Sequence, residues 1–345
     1  MPVIVRSESV HPFLPSVGSL SAVEETIANK QDIRPLEIAI INLMAEKQTT
    51  ERQLSCWLGY TPLQVKLTFA ATDSYIEAVR KGKQTKNTPA EHVNKFYSSW
   101  SEIKNNKYDG VIITGVNALK DRVEQEDIWE EITKILDWTE TNALSSLFLC
   151  WGAKAAMKHF HDINSYKQEK KLWGVYPHRV ASDKTRLLFG FADVFFMPVS
   201  RWKTPNRKDI ATCKELEIAA DSYEMGPNVI VESGKRGADL YPKRVYVLAH
   251  PEYDTDTLKK EYIRDSAVAA AEKPVQRNVR NKAGAENKIS KSARLPANYF
   301  PDDNPNEEPI NLWRPCASMY SNWVHLVYQA TPYDLAQIPK PHVVR

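Results

Sequence analysis

From residue 36 onward, short apolar runs alternate with longer amphipathic stretches. Residues 38–43, 111–113, 147–150 and 245–250 are compact apolar runs, with Leu147-Phe148-Leu149-Cys150 the clearest. Runs of this length bounded by polar residues read as buried strands. Between them, residues 127–140 and 154–161 carry apolar side chains at helical spacing. Alternation of this kind predicts an α/β fold, a mostly parallel sheet with helices on both faces. In such sheets ligands bind beyond the carboxyl ends of the strands, so those ends are where chemistry is expected.

The pattern also sets the domain organisation. Residues 1–34 lack periodicity and hold Pro2, Pro12 and Pro15, with Pro35 at the border, and are expected to wrap the surface irregularly. Residues 35–265 and 296–335 form one α/β domain. Between them, residues 266–295 hold seven Lys/Arg against two acidic residues, with few large apolar side chains to bury. That composition reads as a flexible basic insertion and as a solvated loop rather than a nucleic-acid arm. The aromatic and proline-rich stretch 298–334 is expected to pack back on the core.

Composition narrows the class. Hydrophobic residues make up 42% of the 345 and charged residues 26%, an ordinary soluble mix. No apolar run approaches the roughly 20 residues of a membrane span, and the first residues lack a signal-peptide core. The formal charge of +3 is small for this length and gives no indication of nucleic acid. Cys56, Cys150, Cys213 and Cys316 are widely spaced, which suits free thiols in a reducing cytoplasm better than a zinc or disulfide framework.

Candidate chemistry follows from the strand ends. Cys150 closes an apolar strand and is followed by Trp151-Gly152-Ala153-Lys154, which suits a tight turn into a helix. Such an elbow projects a nucleophile, offers the next backbone N–H to an oxyanion, and favours the thiolate at a helix N-terminus. A free cysteine is as often a small buried hydrophobe. His250 separates the two possibilities, because it also follows an apolar strand, and Glu252 stands two residues on across a proline turn. A thiol needs a base, and the base needs a carboxylate to set its tautomer. His159 and His161 have too few carboxylates nearby for a metal site, and no metal is expected. Farther on, Asp254 to Asp256 are helix N-cap candidates, and Glu261 and Arg264 stand three apart on one helical face. They could be a surface ion pair, or a clamp with Arg264 on an α-carboxylate and Glu261 on an α-ammonium.

These residues sit within segments that resemble a known family. The segments are Asp32-Ile33-Arg34-Pro35-Leu36, Ile41-Asn42-Leu43-Met44, Asn87-Thr88-Pro89-Ala90-Glu91-His92, Asp109-Gly110-Val111-Ile112-Ile113-Thr114-Gly115, Phe148-Leu149-Cys150-Trp151, His250-Pro251-Glu252-Tyr253-Asp254, Asn298-Tyr299-Phe300-Pro301 and Thr331-Pro332-Tyr333-Asp334-Leu335. In order and spacing they resemble the homoserine O-acyltransferases of methionine biosynthesis, of the homoserine trans-succinylase type. The resemblance implies a flavodoxin-like fold related to class I glutamine amidotransferases, a homodimer, and acyl-CoA as co-substrate with no bound cofactor. It implies Cys150 as the acylated nucleophile, His250 as base and Glu252 as its partner. It further implies Lys171, Ser200 and Arg264 as substrate contacts, Glu261 beside them, and Lys47 near the acyl site. It thereby favours the clamp over the surface pair.

The sequence departs from that pattern at the specificity positions. Leu119 stands where acetylating members have glutamate and succinylating members glycine, Glu46 replaces a lysine, and Val199 replaces a histidine. A large apolar Leu119 and the charge lost at Glu46 suggest acetyl-CoA, or another short uncharged donor, over succinyl-CoA. The expected activity is acyl transfer through Cys150 to the hydroxyl of homoserine or a close analogue such as serine. A glutamine amidotransferase-like or peptidase-like cysteine hydrolase is the enzymatic alternative, and a non-catalytic binding protein the alternative outside enzymes.

Overall fold

In the computed structural model, residues 34–271 and 294–338 are described, apart from 84, 86, 183, 237 and 238, together with two short strands nearer the start. Of residues 236, 239, 240 and 268–271, and of those two strands, the backbone alone is considered.

The two early strands are β1 (Val3–Val5) and β2 (Ala22–Glu24). Then follow β3 (Leu36–Ile41), α1 (Lys47–Leu58), β4 (Val65–Ala71), α2 (Asp73–Arg80), α3 (Ala90–Phe96), β5 (Ser98–Ser99), α4 (Trp100–Ile103) and β6 (Tyr108–Ile113). The next stretch holds α5 (Trp129–Asn142), β7 (Ala143–Leu149) and α6 (Trp151–His161). After it come β8 (Ser165–Val180), β9 (Val194–Pro205), α7 (Arg207–Thr212), β10 (Leu216–Ser222), β11 (Gly226–Arg236) and β12 (Asp239–Val247). Two helices complete the order, α8 (Thr257–Ala271) and α9 (Ser318–Ala330).

All but β5 run in the order β2-β1-β4-β3-β6-β7-β12-β11-β10-β8-β9, and β5 pairs with β4. From β2 to β12 the pairing is parallel, with Ile112 opposite Leu147 and Leu147 opposite Val245. β6 and β7 are buried along their whole length, as central parallel strands covered on both faces must be. Two hydrophobic clusters flank the sheet, one around Leu36, Leu147, Val245 and Trp323, the other around Ile41, Ile113, Phe148 and Trp151.

From β12 to β9 the sheet is antiparallel. Apolar runs here are interrupted or adjoin long polar stretches: β8 opens Ser-Tyr-Lys-Gln-Glu-Lys-Lys with its early residues largely exposed, and β9 passes from Val-Phe-Phe-Met-Pro-Val to Ser-Arg-Trp-Lys. Its pairing therefore escapes a search for buried runs. The sheet is mixed and mostly parallel, as α/β alternation requires for its first half.

The expected boundaries shift in two places. The segment 1–34 includes β1 and β2, which extend the sheet edge beyond β4, so it is not wholly irregular. Helix α8 continues to Ala271, past the expected start of the insertion at 266, and residues 272–293 lie outside the described ones. The chain then returns beside β8, where the Val175 N–H donates to the Ala297 carbonyl at 2.8 Å and the Ala297 N–H to the Trp173 carbonyl at 3.0 Å. Helix α9 packs its apolar face against the sheet, as expected for the aromatic tail. Arg34 forks onto the buried Asp109 carboxylate at 2.8 and 2.9 Å and also donates to the Pro332 carbonyl at 3.0 Å, tying this tail to the amino end of β6.

Candidate active site

Cys150 is the residue between β7 and α6, with φ 51° and ψ −108°. A positive φ at a non-glycine residue is strained, and here it turns a fully buried strand directly into a helix, which is the elbow geometry expected. Two glycines make the turn possible. A Cβ on Gly152 would lie 2.8 Å from the Ile113 and Thr114 carbonyl oxygens, and one on Gly115 would lie 3.2 Å from the Cys150 Cβ and 3.4 Å from the Trp151 nitrogen. Only glycine lets the first turn of α6 lie this close to the end of β6. The Trp151 N–H, first in the helix, is one of those with no intrahelical acceptor.

The parallel register of β7 and β12 brings the base alongside. The Cys150 N–H donates to the Val247 carbonyl at 2.7 Å, and the chain continues from Val247 for three residues to His250. The His250 N–H is in turn held by the Pro198 carbonyl at 2.9 Å. Its Nδ1 lies 2.8 Å from Glu252 Oε1, and the imidazole is also hydrogen-bonded to the Cys150 side chain. Glu252 Oε2 accepts from the Tyr320 hydroxyl at 2.9 Å, and the Tyr253 ring stacks on the imidazole with centroids 4.2 Å apart. Each polar atom that orients the imidazole is therefore itself held.

The charges of the pair follow. Burial pushes the Cys150 thiol up, but the Lys154 ammonium, the His250 imidazolium and the Arg201 guanidinium outweigh it and hold the thiol down at about 6. Burial works against the imidazolium of His250, yet the Cys150 thiolate and the Glu252 carboxylate raise it to about 10. At neutral pH the two groups are a thiolate–imidazolium pair. Cys56 and Cys213 are pushed above the ordinary thiol range, and Cys316 well above it, each chiefly by burial.

Three further predicted residues, Lys171, Ser200 and Glu261, meet beside Tyr253. Glu261 Oε2 accepts from Ser200 Oγ at 2.6 Å and lies 3.4 Å from Lys171 Nζ, while Oε1 accepts from the Tyr253 hydroxyl at 2.8 Å. Lys171 also reaches Asp265 at 3.1 Å and lies 4.2 Å above the Trp173 ring. Arg264 turns instead to Asp265, at 2.9 and 3.0 Å, with 59% of its side chain exposed. Glu261 and Arg264 are therefore not a closed two-residue clamp in the free protein. Three donors already occupy Glu261, and Arg264 shares Asp265 with Lys171. Asp256 precedes α8 as a cap position should, whereas Asp254 pairs with Arg52 and Gln53.

Two predicted specificity residues lie elsewhere. Leu119 is 86% exposed, so it walls off no buried cavity. Lys47 is buried after the end of β3, two strands from Cys150, with its Nζ donating to the Asn42 carbonyl at 2.6 Å and the Met44 carbonyl at 3.2 Å. Burial lowers its ammonium to about 7. Glu46 is exposed and accepts from Thr49 Oγ1 at 2.9 Å, so the positive charge missing there is missing from the surface. The volume and charge arguments for an uncharged donor both lose their footing.

Sequence reasoning overlooked Tyr253, Tyr320, Lys154 and Arg201. Lys154 and Arg201 had a local signal, one helical turn from Cys150 and one residue from Ser200. Tyr320 had none, since 68 residues separate it from the carboxylate it holds.

The sequence has known relatives. A family model described as Homoserine O-succinyltransferase matches residues 14–333. A homoserine O-acetyltransferase of Acetivibrio thermocellus is 38% identical over 322 residues, covering 93% of this chain and 94% of that protein. Another, of Thermotoga petrophila, is 40% identical over 332 residues, covering 94% and 97%. Among solved structures, a glutamine amidotransferase from Methylobacillus flagellatus aligns over 85% of this chain and 95% of its own, at 11% identity and a TM-score of 0.47, a likeness too distant to bear on chemistry. The elbow cysteine, its held imidazole and the polar pocket beside them stand in a chain that belongs to the homoserine O-succinyltransferase family.

Proposed function

We propose that this enzyme moves an acyl group from acyl-CoA to the side-chain hydroxyl of homoserine through a thioester on Cys150. The observation that carries the proposal is the thiolate–imidazolium pair, joined through Tyr253 to the Ser200–Glu261–Lys171 pocket. The membership of the chain and the names of its relatives support the acceptor and the donor class.

In the first half-reaction the Cys150 thiolate attacks the thioester carbonyl of acyl-CoA. The Trp151 N–H faces the developing oxyanion. The carbon–sulfur bond to CoA breaks, and the departing CoA sulfur takes the proton of the His250 imidazolium. One thioester replaces another, so the step is nearly balanced in energy and positioning decides its rate. In the second, neutral His250 takes the proton of the homoserine hydroxyl, the oxygen attacks the acyl carbon, and Cys150 leaves as thiolate. The imidazolium and thiolate are restored together. Glu252 keeps Nδ1 protonated throughout, leaving the other ring nitrogen for transfer.

The acceptor's charged end suits the second pocket. Glu261 takes the α-ammonium in place of its present hydroxyl and ammonium donors, and Lys171 takes the α-carboxylate. Arg264 joins Lys171 once it leaves Asp265. A peptidase reading leaves this pocket without a purpose; a glutamine amidotransferase reading would use it for the charged end of glutamine, and it is the family match and the named relatives that favour homoserine.

The test is intact-mass analysis after mixing the full chain with acetyl-CoA or succinyl-CoA. A stable adduct on Cys150, discharged by homoserine to give one equivalent of O-acylhomoserine, is expected. Cys150→Ala should form neither adduct nor product while keeping its circular dichroism spectrum. Product formation by folded Cys150→Ala overturns the covalent route.

A further inference from the structure

The two ends of Tyr253 belong to different parts of the reaction. Its ring is 8% exposed and lies over the His250 imidazole, with centroids 4.2 Å apart and planes 19° apart. Its hydroxyl donates to Glu261 Oε1 on α8 at 2.8 Å. The backbone holds the residue there. Its N–H donates to the His250 carbonyl at 3.2 Å, and its own carbonyl accepts from the Trp313 indole at 2.8 Å. One rigid side chain thus touches the base with its face and the acceptor pocket with its tip.

That contact carries charge effects as well as position. An aromatic face attracts a cation within about 6 Å of its centroid, and the His250 imidazolium lies inside that range. A phenol donating to a carboxylate makes a charge-assisted bond, which draws electron density into its ring and makes the face beneath the imidazolium more negative. The protonated ring is also supported by the Cys150 thiolate and by Glu252, whose second oxygen is held by Tyr320 of α9. Lys154 of α6 and Arg201 of β9 act on the sulfur. Around Glu261 stand Ser200 of β9, Lys171 of β8 and, one helical turn on, Arg264. Acylation removes the thiolate. The protonated ring is then supported by Glu252, and by Tyr253 with Glu261 behind it.

We propose that Tyr253 is a positioning residue that couples the acceptor pocket to His250, so that an α-ammonium arriving at Glu261 favours the neutral imidazole needed for the second half-reaction. The coupling rests on the acyl-transfer reading above and adds how the acceptor readies its own base. After the first half-reaction His250 has given its proton to CoA. It can regain one from solvent, and an imidazolium cannot serve as base. The arriving ammonium neutralises Glu261, the Tyr253 face loses its added negative charge, and the protonated ring loses one of its supports. The solvent proton then stays in solvent, and the ring takes the proton of the acceptor hydroxyl instead.

The test acylates Cys150 with acetyl-CoA or succinyl-CoA, removes excess donor, and discharges the acyl-enzyme with each of three alcohols between about pH 5 and 8.5. Homoserine and 3-aminopropan-1-ol carry the ammonium, whereas 4-hydroxybutyrate carries the carboxylate alone. The readout, by intact mass, is the pH midpoint of the discharge rate, which reports protonation of the base and not the strength of binding. In the wild type both ammonium-bearing alcohols should give a midpoint about half a unit below that of 4-hydroxybutyrate, roughly a threefold gain in neutral base at the lower pH. Tyr253→Phe keeps the ring and loses the hydroxyl. In that variant the midpoints should draw together, and discharge by homoserine should slow more than acylation does. Equal midpoints in the wild type overturn the coupling without any variant. A difference undiminished in folded Tyr253→Phe shows that the ammonium acts directly on His250, and it overturns the role of Tyr253. Failure of either donor to form an adduct on Cys150 refutes the transfer reading and the coupling with it.

Discussion

Replacing His250 with asparagine should change the ionisation of Cys150 before any substrate is present. In the wild type the thiol is held at about 6 by Lys154, His250 and Arg201 against the opposing effect of burial. A group with a depressed value is ionised above it, so the wild-type thiolate persists down to about pH 6 and is lost as pH falls further. His250→Asn removes one of the supporting charges and its hydrogen bond, leaving burial opposed by Lys154 and Arg201. If the thiol returns to about 8.5, the ordinary cysteine value, the thiolate fraction at pH 7 falls from roughly nine-tenths to about 3%, a loss of about 30-fold. The assay is the pH dependence of iodoacetamide alkylation, read on the Cys150 peptide by mass. The three other thiols are all pushed upward, so they stay slow near neutrality. The variant should be slow at pH 7 and approach the wild-type rate by about pH 10, where either thiol is ionised. An unchanged profile in a folded variant would show that the imidazolium does not hold the thiolate and would refute the ion-pair argument.

Two other outcomes test the surroundings of the pair. Tyr320→Phe removes the donor to Glu252 Oε2 in a buried site, and hydrogen bonds to charged groups contribute about 1.5–3 kcal/mol. Turnover should fall by about tenfold in a variant that keeps its circular dichroism spectrum and its KM values for both substrates; unchanged turnover would show that Tyr320 does not position Glu252. Arg264→Ala should raise the KM for homoserine severalfold or more and leave that for acyl-CoA within about twofold, since the acyl half-reaction does not involve the α-carboxylate. Equal KM values for homoserine in Arg264→Ala and wild type would return Arg264 to the role of a surface partner for Asp265.

What the sequence discloses and what it conceals follow from the range of the forces involved. The buried parallel strands and the elbow were legible, because burial on both faces writes continuous apolar runs and a tight turn demands small residues such as Gly152. The Cys150–His250–Glu252 set was legible because each member lies at or just beyond a strand end. The antiparallel half was not, since β8 and β9 mix polar and apolar positions and their pairing depends on tertiary partners. The Glu261–Arg264 pair shows a second limit. Helical spacing correctly places the two residues on neighbouring positions, but it cannot foresee that Ser200, Tyr253 and Lys171 will compete for one of them. Leu119 shows a third. A position can align with a specificity determinant while its side chain points to solvent, because exposure belongs to the loop's course and not to the residue type.

The hydrogen bond from Tyr320 also bears on the order in which the molecule comes into being. At a synthesis rate of about 5–20 residues per second, the 68 residues between Glu252 and Tyr320 take roughly 3–14 s to emerge. During that interval the nucleophile, its base and the first carboxylate oxygen all exist, but the donor that holds the second oxygen does not. The Trp313 indole that braces the Tyr253 carbonyl at 2.8 Å arrives in the same late stretch. The last hydrogen bond that holds the orienting carboxylate is therefore made only after every strand of the sheet has been synthesised.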